Sequence, residues 1–233
     1  MILNHVFFDL DGTLSDPQLG ICSCIQYALR KMGQQHIPER HELHWCIGPA
    51  LRESFRTLLG EQAGDDDAEQ AVAFYRERFA DIGLFENELY AGIPEALAAL
   101  QRDGRRLYLV TAKPIVFAER IIAHFALRPF FQALYGSELN GAFTDKALLT
   151  AEVLRREGIA PATAVFVGDR RYDIAAAHDN GMPCVAVSYG YGTGDEIAQA
   201  APDAIADTPA DIPTAIRTLE QHLQQNHTID TTH

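Results

Sequence analysis

Short runs of bulky apolar residues recur along the chain, and each run stops at polar or glycine-containing residues, as buried strands of a parallel sheet do. The clearest runs cover 6–8, 107–110, 164–167 and 185–187, and weaker ones cover 133–135 and 204–205. Apolar residues at helical spacing lie between them, at 93–100, 116–125, 148–154 and 174–178. This alternation predicts an α/β fold in which helices cover both faces of a parallel sheet.

The segment 17–85 interrupts the alternation, because it contains helical stripes and no convincing strand. One stripe runs from Cys22 to Met32, a second from Leu51 to Leu59 and a third from Val72 to Phe79. We therefore expect an α/β core formed by 1–16 and 86–220, an inserted helical domain at 17–85, and a polar tail at 221–233.

Charge and composition narrow the classes of protein that fit. The formal net charge of −13, without a stretch rich in Lys and Arg, argues against nucleic acid as a partner. A run of about 18 apolar residues, which a membrane span needs, is absent, and the start lacks the features of a signal peptide, so we expect a cytoplasmic protein that does not act on membranes. The four cysteines lack the spacing of a zinc site or a disulfide framework and are expected to be buried thiols.

Two groups of aspartates follow predicted strands. Asp9 and Asp11 stand in the sequence Asp-Leu-Asp-Gly-Thr after the first strand, and Asp169 and Asp173 follow the strand at 164–167. Taken alone, the first group is also a turn signal, and Asp173 is also a helix cap. Because the carboxyl ends of parallel strands share one edge of the sheet, the four carboxylates are expected to converge there. Such a cluster repels itself unless a divalent cation is bound, and oxygen ligands without His or Cys suit Mg²⁺.

Four further residues are weaker candidates. Thr111 follows a strand and Lys146 begins a predicted helix, so a hydroxyl and an ammonium would reach the same edge and bind phosphoryl oxygens. Arg52 and Lys113 are candidates for binding an anionic substrate, although a solvated surface position explains each of them as well. The glycine-rich segment 189–194 lacks the Lys-Ser or Lys-Thr ending of nucleotide-binding loops, which favours a flexible loop at the rim of the site.

These motifs, in this order, resemble those of the haloacid dehalogenase superfamily of phosphohydrolases. Within it, the chain is most similar to the phosphoglycolate phosphatase-like branch, through Ile47-Gly48-Pro49, Thr111-Ala112-Lys113-Pro114 and Gly168-Asp169-Arg170. The resemblance implies a Rossmann-like core with an α-helical cap domain between the first and second motifs. It implies that Asp9 is the nucleophile, that Asp11 is the general acid and base, and that Thr111 and Lys146 hold the phosphoryl group. It also implies that Mg²⁺ is held by Asp9, the main-chain carbonyl of Asp11, Asp169 and, directly or through water, Asp173.

By the same resemblance, Asp11 separates phosphatases and sugar-phosphate mutases from dehalogenases and transport ATPases, which lack an aspartate at this position. We therefore predict a Mg²⁺-dependent phosphatase acting on a small phosphorylated metabolite through an aspartyl phosphate. Phosphoglycolate is the first expectation for the substrate, and a nucleoside monophosphate (a 5′-nucleotidase activity) or a sugar phosphate is the alternative. A phosphomutase and a non-catalytic regulator are the rival classes, and the oligomeric state is left open.

Overall fold

The computed structural model describes residues 2–61 and 63–230, without the side chains of 226–230. The chain forms two compact units. One contains the chain up to Leu14 and from Tyr90 onward, and the other is Ser15–Leu89. We call them the core unit and the cap unit. The cap unit extends a little beyond the expected range of 17–85 at both ends.

Regular elements account for most of the described chain. The strands are β1 (His5–Phe8), β2 (Ser15–Asp16), β3 (Glu88–Leu89), β4 (Arg106–Pro114), β5 (Phe131–Ser137), β6 (Ala164–Gly168), β7 (Cys184–Val187) and β8 (Ala204–Ala206). The helices are α1 (Gln18–Lys31), α2 (Leu51–Leu59), α3 (Asp65–Arg78), α4 (Ile93–Arg102), α5 (Ile115–His124), α6 (Lys146–Glu157), α7 (Arg171–Asp179), α8 (Gly194–Ala200) and α9 (Ile212–Asp230). Short 3₁₀ turns lie at Arg40–Cys46, Arg128–Phe130, Pro161–Thr163 and Pro209–Asp211, and a π turn lies at Phe79–Gly83.

The core unit is built on a six-stranded sheet in the order β5-β4-β1-β6-β7-β8, in which every neighbouring pair is parallel. The predicted α/β fold with a parallel sheet is thereby confirmed. Strand β1 lies between β4 and β6, and its last residue, Phe8, pairs with Leu109 and with Val167. The residues that follow β1 and β6 therefore meet beside the part of β4 that comes after Leu109, at the middle of one sheet edge.

Apolar packing on the sheet explains why the short strands are stable. Phe7 of β1 belongs to a buried cluster with Phe166 of β6, Val153 of α6, Ile174 of α7 and Ile197 of α8. Successive strand residues point to opposite faces, so Phe8 points away from this cluster, and its ring makes an edge contact with Phe131. Both sides of the central strand are thus buried, as its continuous apolar run predicts.

The cap unit is helical, apart from the two-residue strands β2 and β3, which pair antiparallel with each other. Helices α1 and α2 both contact α3. Tyr75 links two aromatic contacts inside the unit, one with Phe55 and one with Phe79. The apolar stripes found in the sequence are therefore the buried faces of these three helices. The very short strands were not predicted, because two residues carry no periodicity.

The cysteines, the chain end and the helices bear on the remaining expectations. All four cysteines are buried thiols that form no disulfide, as expected. Helix α9 continues to Asp230, so the part of the expected tail at 221–230 is helical, and 231–233 lie outside the described residues. Within the described part of the chain, none of the helices combines the length and the apolar composition that crossing a membrane requires.

Candidate active site

Three buried carboxylates and one buried ammonium meet at the sheet edge where β1 and β6 end. Asp9 follows β1, Asp169 follows β6, and Asp173 lies in the first turn of α7. A carboxylate oxygen from each lies within 4.8 Å of one from each of the others. We call these three residues the acidic cluster. Lys146, the first residue of α6, places its Nζ 3.0 Å from Asp9 Oδ2 and 2.5 Å from Asp173 Oδ1.

Burial makes this arrangement electrostatically costly. The side chains of Asp9, Asp173 and Lys146 are 4%, 0% and 7% exposed, so water screens their charges weakly. Burial, reinforced by Asp173 and Asp9, raises the pKa of Asp169 well above its usual range. Burial also raises the pKa of Asp173 to about 6, against the opposing effect of Lys146. Burial lowers the pKa of Lys146, but Asp173 and Asp9 together outweigh it, so the pKa is raised and the ammonium stays charged.

Asp11 does not join the acidic cluster through its side chain. Its carboxylate forms an ion pair with Lys113 of β4, and the two side chains are 13% and 6% exposed. Burial raises the pKa of Asp11, while Lys113 acts to lower it. Lys113, a candidate for binding an anionic substrate, is paired with this aspartate, and its role toward a substrate stays a prediction. Thr111 is buried earlier in β4, where its Oγ1 accepts a hydrogen bond of 3.3 Å from the Lys113 backbone N–H.

Segment 189–194 contacts the side chain of Asp169, and the sequence did not predict this contact. The backbone N–H of Tyr191 donates a 2.7 Å hydrogen bond to Asp169 Oδ2. A Cβ added to Gly190 would lie 2.3 Å from the Cβ of Asp169. A Cβ added to Gly12 would lie 2.1 Å from Oδ2 of the same aspartate. Only glycine permits such close approach, and Gly12 also has a φ of +83°. The expected flexible loop at the rim is therefore a wall of the acidic cluster, and its closely spaced glycines were the available signal.

Comparison with known proteins identifies the family to which this constellation belongs. A model of the haloacid dehalogenase-like hydrolase family matches residues 6–187, which include both groups of aspartates, Thr111 and Lys146. The chain belongs to the haloacid dehalogenase-like hydrolase family. The resemblance inferred from the motifs is thereby confirmed.

Individual relatives of this hydrolase carry phosphatase names. It is 41% identical over 218 residues to a 5′-nucleotidase of Pseudomonas aeruginosa, an alignment that covers 94% of this chain and 96% of that protein. It is 32% identical to phosphoglycolate phosphatase 1 of the same species, over 89% of this chain and 77% of that one. A crystal structure of "a predicted phosphatase from Clostridium acetobutylicum" superposes with a TM-score of 0.87 at 32% identity, covering 95% of this chain and 100% of that one. Together these matches support a phosphatase.

The acidic cluster of this hydrolase fits a divalent cation. Asp9 Oδ1 is buried and has no hydrogen-bond partner among the described residues. When all three carboxylates are ionised, the cluster carries three negative charges against the single positive charge of Lys146, and a divalent cation neutralises the remainder. The Asp11–Lys113 pair is neutral by itself. An all-oxygen donor set is the one that Mg²⁺ prefers.

Arg52 belongs to the cap unit, on helix α2. Its Nε lies 2.8 Å from Glu69 Oε1, and its Nη2 lies 3.5 Å from Asp65 Oδ2. With 44% of its side chain exposed, Arg52 has the features of the solvated helix face that the sequence left open as an alternative to substrate binding. Its role toward a substrate stays a prediction.

Proposed function

We propose that this hydrolase is a Mg²⁺-dependent phosphomonoesterase that transfers the phosphoryl group to Asp9 and then to water. The buried acidic cluster with Lys146 is the observation that carries the proposal. A binding protein or a regulator has no need for three carboxylates within 4.8 Å of one another, since their mutual repulsion destabilises the fold. Phosphoryl transfer to Asp9 requires positive charge beside the phosphoryl oxygens, which Lys146 and a cation held by the acidic cluster would supply.

In the first step, a carboxylate oxygen of Asp9 attacks phosphorus and the bond from phosphorus to the ester oxygen breaks. The departing oxygen takes the proton of Asp11, so the substrate alcohol leaves neutral. The tendency of burial to raise the pKa of Asp11 favours its protonated form, which this step needs. The product of the step is an acyl phosphate on Asp9.

In the second step, water attacks the phosphorus of the acyl phosphate, and Asp11, now ionised, accepts a proton from that water. The bond between phosphorus and the Asp9 oxygen breaks, which releases inorganic phosphate and restores both aspartates. A phosphomutase would return the phosphoryl group to a sugar hydroxyl instead of to water. The names of two relatives, 5′-nucleotidase and phosphoglycolate phosphatase 1, favour hydrolysis.

Lys146 and Thr111 bind the phosphoryl oxygens in this scheme, Lys146 by charge and Thr111 by its hydroxyl. Mg²⁺ would be held by Asp9, Asp169, Asp173 and the main-chain carbonyl of Asp11. When bound, the ion adds positive charge beside the phosphoryl oxygens and cancels the repulsion between the carboxylates.

For the substrate, we propose a nucleoside 5′-monophosphate ahead of phosphoglycolate. The motifs alone put phosphoglycolate first. The relative named 5′-nucleotidase is more similar to this chain, at 41% identity against 32%, and it matches over nearly the full length of both proteins. A sugar phosphate is the third candidate. The predicted cytoplasmic location stays a prediction.

The test is phosphate release from nucleoside monophosphates, phosphoglycolate and sugar phosphates, with Mg²⁺ or with EDTA. We expect Mg²⁺-dependent release that falls on the order of 10⁴-fold or more in Asp9→Asn, because the nucleophile is lost. Asp179→Asn, the same change at an exposed position of α7, is the matched control and should keep full activity. Absence of release from every substrate, or unchanged release by Asp9→Asn, would refute the proposal, and an isomerised product without phosphate would identify a mutase.

A further inference from the structure

The contact between Lys113 and Asp11 is formed at one oxygen of the carboxylate only. Lys113 Nζ pairs with Asp11 Oδ2. Asp11 Oδ1 is also buried, and among the described residues it has no hydrogen-bond partner. One oxygen of Asp11 is therefore anchored and the other is left for a reacting group.

A bulge in strand β4 directs Lys113 toward Asp11. The pairing of β4 with β5 runs in register from Tyr108 opposite Ala133 to Thr111 opposite Gly136. It resumes with Pro114 opposite Ser137, so Ala112 and Lys113 lie outside the ladder. Bulges of this kind redirect a side chain and are common beside active sites.

Strand β5 is adapted to this bulge at two positions. A Cβ added to Gly136 would lie only 2.6 Å from the Lys113 carbonyl oxygen, so a larger residue would displace the bulge. The Ser137 hydroxyl, which is buried, donates a 2.7 Å hydrogen bond to the Ala112 carbonyl. The backbone that carries Lys113 is thus fixed from the neighbouring strand.

We propose that Lys113 is a positioning residue for proton transfer: it holds Oδ2 of Asp11 so that Oδ1 faces the leaving group in the first step and the water in the second. This inference rests on the proposed function, in which Asp11 is the acid and the base. It differs from the expectation that Lys113 binds the substrate directly, because the lysine then acts on the reaction only through Asp11.

A role in positioning Asp11 and a role in binding the substrate directly predict different effects of the leaving group on the rate. A nitrophenolate leaves readily without a proton, whereas the alkoxide of a nucleoside monophosphate needs the acid. Single-turnover release is therefore measured for p-nitrophenyl phosphate and for the nucleoside monophosphate that the native enzyme hydrolyses best. The variants are Lys113→Met, Asp11→Asn and the double variant, with Lys31→Met on the exposed surface of the cap unit as the matched control.

A positioning role predicts that Lys113→Met slows alcohol release at least about tenfold and changes nitrophenolate release by less than about threefold, since a well-placed acid contributes about 10²–10⁴-fold. It also predicts that Lys113→Met has no further effect when Asp11 is already Asn, because residues that act as one unit are not additive. Both results would support the inference, provided that circular dichroism shows native folding. If the Met variant does not fold, Lys113→Gln replaces it in the same comparison.

Direct substrate binding predicts the opposite result. The enzyme concentration that gives half-maximal single-turnover release would rise for both substrates, and it would rise equally with Asp11 or Asn at position 11, which would overturn the positioning role. Failure of the proposed function looks different again, since Asp11→Asn by itself would then show no preference for the better leaving group.

Discussion

Lys146→Met is the substitution whose effect on stability the structure defines best. The ammonium is 7% exposed and lies 3.0 Å from Asp9 and 2.5 Å from Asp173. Methionine preserves much of the side-chain volume and removes the charge. In metal-free protein the acidic cluster then keeps its negative charges without this counter-charge.

The loss in the free energy of unfolding is set by the attraction between the charges and by the opposing cost of desolvating the ammonium. At an effective dielectric constant of about 20, a unit charge pair at these distances is worth about 5–7 kcal/mol per contact. The desolvation of the ammonium, several kcal/mol, opposes this gain, and experience with broken buried ion pairs gives a net loss of about 3–5 kcal/mol. We expect a loss of that size in the free energy of unfolding at pH 8 in EDTA. The loss should shrink toward pH 5, where Asp173, with its pKa of about 6, takes up a proton in the folded protein.

The assay is urea denaturation followed by two probes. Circular dichroism reports helices of both units, while the fluorescence of Trp45, the single tryptophan, reports the cap unit. If the two units unfold separately, the loss in the free energy of unfolding should appear in the transition of the core unit, which circular dichroism detects and Trp45 fluorescence does not. Lys31→Met serves as control, because Lys31 pairs with Glu77 at the exposed surface and its removal should change little.

A loss below about 1 kcal/mol at pH 8 would refute this reasoning, since it would mean that the ammonium does not compensate the acidic cluster. A loss of equal size at pH 5 and pH 8 would also refute it. In that case the cost would come from packing and not from charge.

Three further predictions concern the metal site and the core unit. Gly190→Ala places a Cβ against the acidic cluster and should raise the Mg²⁺ concentration needed for a given increase in melting temperature at least about tenfold. Gly194→Ala, where the added Cβ meets open space, should leave that concentration unchanged. Burial raises the Asp173 pKa to about 6 in metal-free protein, so the folded state binds more protons than the unfolded state from about pH 4 to 6. The free energy of unfolding of the metal-free protein should therefore fall as the pH rises through this range. The increase in melting temperature caused by Mg²⁺ should grow from pH 5 to pH 8. Glu220→Ala leaves the buried guanidinium of Arg105 without its bidentate partner. Urea titrations should show a free energy of unfolding that is lower by about 3–5 kcal/mol, and a loss under about 1 kcal/mol would contradict this.

Much of the fold and half of the acidic site follow from elementary sequence patterns. Continuous apolar runs mark strands buried on both faces, and parallel strands bring their carboxyl ends to one edge. These two rules suffice to bring Asp9 and Asp169 together. Lys146 is a weaker inference that depends on the aspartate motifs, because a lysine at the start of a helix is ordinary by itself, and its position between two aspartates depends on how α6 packs on the sheet.

The rest depends on contacts between distant segments, which local patterns do not encode. Lys113 meets Asp11 across 102 positions of the chain, through a bulge that no periodicity reveals. Tyr191 reaches Asp169 through a backbone N–H, and a backbone donor leaves no trace in residue type. Only the glycines beside it indicate that two segments of main chain come close together.

Those glycines also explain why the acidic cluster stays concentrated. Gly12 and Gly190 bring backbone against the Asp169 side chain, and Gly168 does the same for Asp173, whose Cγ would lie 2.2 Å from an added Cβ. Carboxylates enclosed by main chain have little room to move apart, so their repulsion is not relieved by rearrangement. It is relieved by a cation or by proton uptake, which the pKa values of Asp169 and Asp173 favour, since burial raises both and the neighbouring carboxylates raise them further. The same rigid walls that raise these pKa values therefore prepare the site for a divalent ion.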